Sequence, residues 1–196
     1  MYQLKLNDPE FLPHYGCNVE FSLEKGQVTV LSGNNGIGKT TLLQRFFQQQ
    51  MFEMSFVEQA SLDFFYDRKL SRIKDIFLAA RGDKIEKDFF LACWKKFGLD
   101  QKKDRHQSKL SGGEGQMLKI CIGLAAKTEI FLLDEPSQYL DENSKKSLCE
   151  ILNTLLYEGK SILMVEHDVT WIDFPTERIQ LEVNAGVLIK GKSWNT

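Results

Sequence analysis

No two cysteines in this chain are spaced to hold a metal. Cys17, Cys93, Cys121 and Cys149 are scattered and form no C-x-x-C pair, which excludes a zinc ribbon and the ligand run of an iron–sulfur cluster. Buried, reduced thiols in a cytosolic protein are the reading that remains. No apolar run approaches the ~20 residues that a membrane-crossing helix needs. The opening Met1-Tyr2-Gln3-Leu4-Lys5-Leu6 alternates like a strand and carries no signal-peptide core, so membrane contact is expected only through a partner. Neither charge dominates: 25 Lys and Arg against 27 Asp and Glu leave a formal net charge of −2, which gives no electrostatic case for a nucleic-acid ligand. Internal repeats and low-complexity segments are missing too. The remaining composition, 42% apolar and 27% charged over 196 residues, suits a soluble globular protein with one well-buried domain, or one domain carrying a small lobe.

Strand patterns gather towards both ends, with helical periodicity between them. Val19, Phe21 and Leu23 alternate with polar residues, Glu24-Lys25-Gly26 reads as a turn, and 27–32 as a short strand. Leu42, Leu43, Phe46 and Phe47 recur at helical spacing, and 54–57 is a further strand. From about Lys69 to Phe97 the pattern is helical and few turn residues interrupt it. Two apolar runs, 130–133 and 161–165, flank a Leu- and Lys-rich helix at about 143–157. Strands alternating with helices predict an α/β fold with a mostly parallel sheet and helices on its faces. The tail, 178–183 and 187–190 around Asn184-Ala185-Gly186, reads as a hairpin.

Gly33-Asn34-Asn35-Gly36-Ile37-Gly38-Lys39-Thr40 fits G-x-x-x-x-G-K-[ST], directly after a predicted strand and opening a predicted helix. Glycines let such a loop curl so that successive N–H groups point at phosphate oxygens, and the helix N-terminus adds partial positive charge there. Lys39 would bridge the β- and γ-phosphates, the Thr40 hydroxyl would bind Mg²⁺, and Thr41 continues the loop. Loop and context together point to nucleotide binding without fixing the class.

Leu110-Ser111-Gly112-Gly113-Glu114 resembles the signature motif of the ABC ATPases. Two glycines at a helix start leave backbone N–H groups free for an anion, and Ser111 adds a hydroxyl. Ile130-Phe131-Leu132-Leu133-Asp134-Glu135-Pro136 resembles the Walker B strand and its catalytic glutamate. In that likeness Asp134 holds Mg²⁺ at the strand end and Glu135 polarises the attacking water. Ser137-Gln138-Tyr139-Leu140-Asp141 is similar to the D-loop, and His167 to the switch histidine that contacts the γ-phosphate. Gln59 resembles the Q-loop glutamine that reaches Mg²⁺, although it falls only 20 residues after Lys39, and Gln48, Gln49 and Gln50 compete for the role. An aromatic upstream of the loop, Phe11 or else Tyr15, would stack on adenine.

The resemblance spans about Val19 to Leu188. It implies a P-loop NTPase core with a mostly parallel sheet, antiparallel β elements and an inserted helical lobe. Residues 1–196 would form a single domain, with about 60–125 as the helical and signature lobe. The implied ligands are ATP and Mg²⁺, and the implied activity is ATP hydrolysis. The implied partner is a second copy of the chain, because each ATP lies between the P-loop of one subunit and Ser111, Gly112, Gly113 and Glu114 of the other. A separate membrane-spanning transporter subunit is the expected further partner, with Phe64-Phe65-Tyr66 near the docking surface and the chain cytoplasmic or peripheral on a membrane's inner face. Against that stands a soluble mechanoenzyme acting on ribosomes or nucleic acid, since 137–141 and 165–168 are similar to the ribosome-recycling ABC ATPase. A regulatory domain without turnover is disfavoured by Glu135 and His167. The chain departs from the family at Gly115-Gln116-Met117, where a glutamine- and arginine-rich run is expected, at Ile122, where arginine is common, and at Thr40-Thr41 in place of Ser-Thr.

Overall fold

The computed structural model describes residues 1–6, 19–49, 53–58, 68–174, 176–184 and 187–195. Strands β1 (Tyr2–Leu6) and β2 (Val19–Leu23) pair antiparallel. Next come β3 (Val28–Ser32), α1 (Lys39–Gln49), β4 (Met54–Val57), α2 (Leu70–Arg81), α3 (Lys87–Lys96) and α4 (Gly112–Leu124). The chain continues through β5 (Ile130–Asp134), α5 (Glu142–Tyr157), β6 (Ser161–Val165), β7 (Thr176–Asn184) and β8 (Val187–Asn195). Six strands form one sheet in the order β4-β5-β6-β3-β7-β8, parallel throughout except for β8 against β7. The mostly parallel sheet and the closing hairpin agree with the sequence pattern.

Strands covered on both faces must be apolar at every position. Strand β5, Ile130-Phe131-Leu132-Leu133, is buried throughout, and so is Ile162-Leu163-Met164-Val165 of β6. Alternate side chains go to opposite faces. Ile130, Leu132, Leu163 and Val165 pack with Leu42, Leu43 and Phe46 of α1 and with Leu4, Leu6 and Leu23 of the β1–β2 pair. Phe131, Leu133, Ile162 and Met164 pack with α2, α3, α4 and α5 on the other side. The helices between β4 and β5 therefore share one core with the sheet.

The helical stretch expected over about 69–97 is made of two helices. Helix α2 ends at Arg81, a short 3₁₀ turn covers Gly82–Lys84, and Ile85 forms an antiparallel bridge with Ala126. Glu86 N–H donates to Ala125 O (2.8 Å), which commits that backbone to the segment after α4 rather than to a helix. Among the described residues the cysteines are free and buried. Burial pushes the Cys93 thiol up to about 12 and holds Cys121 well above its ordinary value, which makes both poor nucleophiles.

Helix α4 crosses β4 closely at Gly123. Ser55 Oγ donates to Gly123 O (2.6 Å), and a methyl group added at Gly123 would run into Val57 Cγ2. Overpacking of this kind costs about 1–3 kcal/mol, against about 1 kcal/mol that Ala gains over Gly in a helix. Gly123→Ala is therefore expected to destabilise the chain by up to about 2 kcal/mol in urea unfolding, and Val57→Ala should restore part of that loss in the double variant. Strictly additive losses would contradict the contact.

Candidate active site

Parallel strands deliver their following loops to one edge of a sheet, and β3, β5 and β6 are adjacent in this one. The loop after β3 is the glycine-rich loop, β5 ends in Asp134 followed by Glu135, and β6 leads into Glu166 and His167. Asn35, Gly36, Gly38, Lys39, Thr40, Thr41, Glu135 and His167 line one open cleft of about 430 Å³. Ile37 turns into the α1-side core, and the carbonyls of Gly33 and Asn34 accept from Lys39 Nζ at 2.8 and 3.1 Å.

Lys39 is buried, and burial lowers its pKa against the opposing attraction of Glu135 and Asp134. Asp134 is fully buried, which raises its pKa; the Thr40 hydrogen bond opposes this, the Glu135 charge adds to it, and Lys39 counters. Thr40 Oγ1 donates to Asp134 Oδ1 (3.2 Å), while Asp134 Oδ2 is buried with no hydrogen-bond partner. A carboxylate oxygen left in that state is costly unless a cation arrives. Among the described residues no three His, Cys, Asp or Glu side chains gather to hold a metal. A cation here would thus be held by one hydroxyl and one carboxylate together with phosphate oxygens, a set that suits Mg²⁺ rather than a metal needing an all-protein cage.

Glu135 reaches His167, with Nε2 3.2 Å from Glu135 Oε1, and both side chains are partly exposed to the cleft. The Glu135 backbone has φ 47°, a left-handed conformation that costs a non-glycine residue free energy and tends to be kept at functional sites. Its surroundings hold it there. Glu135 N–H donates to Val165 O (2.9 Å), and Gln116 Nε2 donates to Pro136 O (3.2 Å) and to Glu135 O (3.5 Å).

The signature segment lies elsewhere. Ser111 caps α4 in a reciprocal box: Glu114 N–H donates to Ser111 Oγ (3.3 Å) and Ser111 N–H to Glu114 Oε2 (2.9 Å). Burial opposes the ionised form of Glu114, but the Ser111 N–H, Lys102 and Arg105 outweigh it and keep the carboxyl below its ordinary range. A Cβ on Gly113 would lie 2.6 Å from Tyr139 O, so only glycine lets α4 seat against the loop after Glu135. Ser111, Gly112, Gly113 and Glu114 do not line the cleft. Gln59 and Phe11, with the alternatives Gln50 and Tyr15 and the aromatic run 64–66, lie outside the described residues. Gln48 and Gln49 fall within α1, away from the cleft lining. Two residues given no role from sequence are central here, Gln116 and Glu166. Their one visible signal was a polar residue within or next to an apolar pattern.

The model of the family described as ABC transporter matches residues 17–138. This chain belongs to the ABC transporter family. A "Probable metal transport system ATP-binding protein" of Thermotoga maritima is 32% identical over 84% of this chain and 72% of its own length. A "Putative ABC transporter ATP-binding protein" of Bacillus cereus is 29% identical over 86% of this chain but only 34% of its own. The chain thus spans about a third of the length of the curated relatives of that kind. Among solved structures, an ATP-binding subunit of an ABC transporter superposes with a TM-score of 0.70 at 18% identity, covering 89% of this chain and 82% of that one. An archaeal ribosome recycling factor, solved with a ribosomal stalk protein, gives 0.71 at 21% identity over 88% of this chain and 39% of that one. At those identities the structures speak for the fold.

Because burial raises the Asp134 pKa, the folded chain holds that proton more tightly than the unfolded chain. The resulting penalty is absent at acid pH and appears as pH rises past the ordinary carboxylate range. Asp134→Asn removes it. The variant is expected to melt higher than the native chain at pH 7 without nucleotide, and to lose any extra stability that Mg²⁺ with ATP brings to the native chain. A variant that melts lower and still responds fully to Mg²⁺ would contradict this account of the site.

Proposed function

We propose that this chain binds ATP with Mg²⁺, hydrolyses it to ADP and phosphate, and does so as an ATP-dependent pair of identical subunits. The observation that carries the reading is the meeting of Lys39, Thr40, Asp134, Glu135 and His167 at one strand-end edge, with a buried carboxylate oxygen left for a cation. Lys39 is held by carbonyls of its own loop; phosphate oxygens compete for the same ammonium and neutralise it better. Thr40 and Asp134 would hold Mg²⁺, which supplies charge neutralisation on the phosphates. Glu135 accepts a proton from the attacking water, and His167, in contact with it, fixes that water and donates to the phosphoryl group. The position of the signature tip outside its own cleft, with Ser111 and Gly112 exposed, supports sharing of ATP between two copies. Ser111, Gly112 and Gly113 of each then complete the phosphate cradle of the other.

The work most in keeping with this chemistry is energising a membrane-spanning transporter subunit, with the chain cytoplasmic and peripheral on the membrane. Relatives named as metal and amino-acid transport ATP-binding proteins support that role, without fixing the cargo of this chain. No helix among the described residues is long and apolar enough to cross a membrane. A second reading, a soluble mechanoenzyme on ribosomes, draws on Ser137-Gln138-Tyr139-Leu140-Asp141 and Val165-Glu166-His167-Asp168. Recovery of the native chain with membranes rather than with ribosomes after cell fractionation decides between the two.

Glu135→Gln is expected to keep ATP affinity within about two-fold and to lower turnover by roughly 10²–10⁴-fold, the range for a general base, and chelation of Mg²⁺ should abolish turnover of the native chain. Unchanged turnover in the variant would show that the base is misassigned. In sedimentation with saturating ATP, Glu135→Gln should run as a dimer and the same variant carrying Ser111→Arg as a monomer that still binds ATP. A monomer in both would count against the shared site.

A further inference from the structure

Glu166 is 5% exposed, and no cation lies against it among the ion pairs of the described residues. Its two oxygens are used separately. Oε1 accepts the backbone N–H of His167 (2.9 Å), and Oε2 accepts the backbone N–H of Ser137 (3.3 Å), 29 residues away. One side chain therefore ties the segment after β6 to the segment after β5. Those segments carry His167 and Glu135, whose side chains meet at 3.2 Å. The tie lies two residues past Glu135, where the left-handed turn at that residue must be held by its neighbours.

A carboxylate is the group that fits. It offers two acceptor atoms and no donor, whereas the amide of glutamine must turn an NH₂ towards one of the two backbone N–H groups. The two bonds use different oxygens of the carboxylate, whereas the hydroxyl of serine or threonine has a single oxygen on a shorter side chain. Burying a polar side chain here is costly unless both bonds are made. The position is thus explained by the pairing it enforces rather than by packing.

Building on the hydrolysis reading above, we infer that Glu166 is a positioning residue for that reaction: by holding Ser137 and His167 together it sets the spacing of Glu135 and His167 across the cleft. Glu166 does not itself line the cleft and reaches it only through the backbone of His167, so it is expected to act on turnover rather than on binding. Because Gln116 holds the same turn from α4 through Pro136 O, the turn is clamped from both sides, and loss of Glu166 frees the Ser137 and His167 amides while the Gln116 bond remains.

The test compares MgATP turnover, ATP binding and backbone amide exchange in the native chain and in Glu166→Gln. The variant is expected to keep ATP affinity within about two-fold while kcat falls about ten-fold, the effect of one misplaced hydrogen bond. Amide exchange at Ser137 or His167 should quicken selectively. Equal loss of binding and turnover, or unchanged kcat, overturns the inference. Should Glu166→Gln fail to fold, the native chain still decides: Ser137 and His167 amides must exchange far more slowly than those of the exposed residues around them, and exchange at loop rates overturns the tie. A native chain that binds ATP without hydrolysing it, with Ser137 and His167 protected, would instead locate the fault in the hydrolysis reading.

Discussion

The hydrogen bond from Thr40 to Asp134 joins segments 94 residues apart and fixes where the glycine-rich loop stands relative to the end of β5. The site depends on that junction. It is possible because β3, β6 and β5 lie side by side and parallel, so their carboxyl ends emerge on one edge. It is demanding because Asp134 is buried and keeps one oxygen without a protein partner. Hydrophobic burial on both faces of β5 and β6 offsets the cost of that carboxylate and of the left-handed backbone at Glu135. The arrangement is a stability–function trade: groups that weaken the empty fold are those that a charged ligand would satisfy.

Around that junction the helical part of the chain is attached by specific contacts. Helix α4 reaches the turn after β5 through Gln116 and seats on it through Gly113, while its crossing of β4 is set by Gly123. The capping box at Ser111 stiffens the tip that carries the signature segment, and Arg105 and Lys102 anchor its glutamate. Helix α4 thus touches the Glu135 turn through the Gln116 side chain and the following loop through Gly113. On the proposed reading, these contacts are a route by which a ligand at the tip of one copy would bear on Glu135 of the same copy.

Much of this was legible in the sequence because it rests on local patterns. The glycine loop, the apolar runs of β5 and β6, and the acidic pair at a strand end all declare themselves within a few residues of chain. The exact point where α2 gives way to α3 did not, because it is held by a long-range contact, the bridge of Ile85 to Ala126. Gln116 and Glu166 escaped for the same reason: their partners lie 20 and 29 residues away. Nor does any local preference place Glu135 or Tyr139 in the left-handed region, which glycine or asparagine would adopt more readily. Gln59 and Phe11 fall on residues that the structure does not describe.

On the proposed reading, one cation and one triphosphate meet at the Thr40–Asp134 junction. A crystal structure of the Glu135→Gln chain with Mg²⁺ and ATP tests this most directly. It should place the cation against Thr40 Oγ1 and, directly or through one water, Asp134 Oδ2. Lys39 Nζ should have left the Gly33 and Asn34 carbonyls for phosphate oxygens, and Ser111 of a second copy should face the γ-phosphate. A triphosphate bound away from the junction, or a cation with no contact to Asp134, would contradict the account.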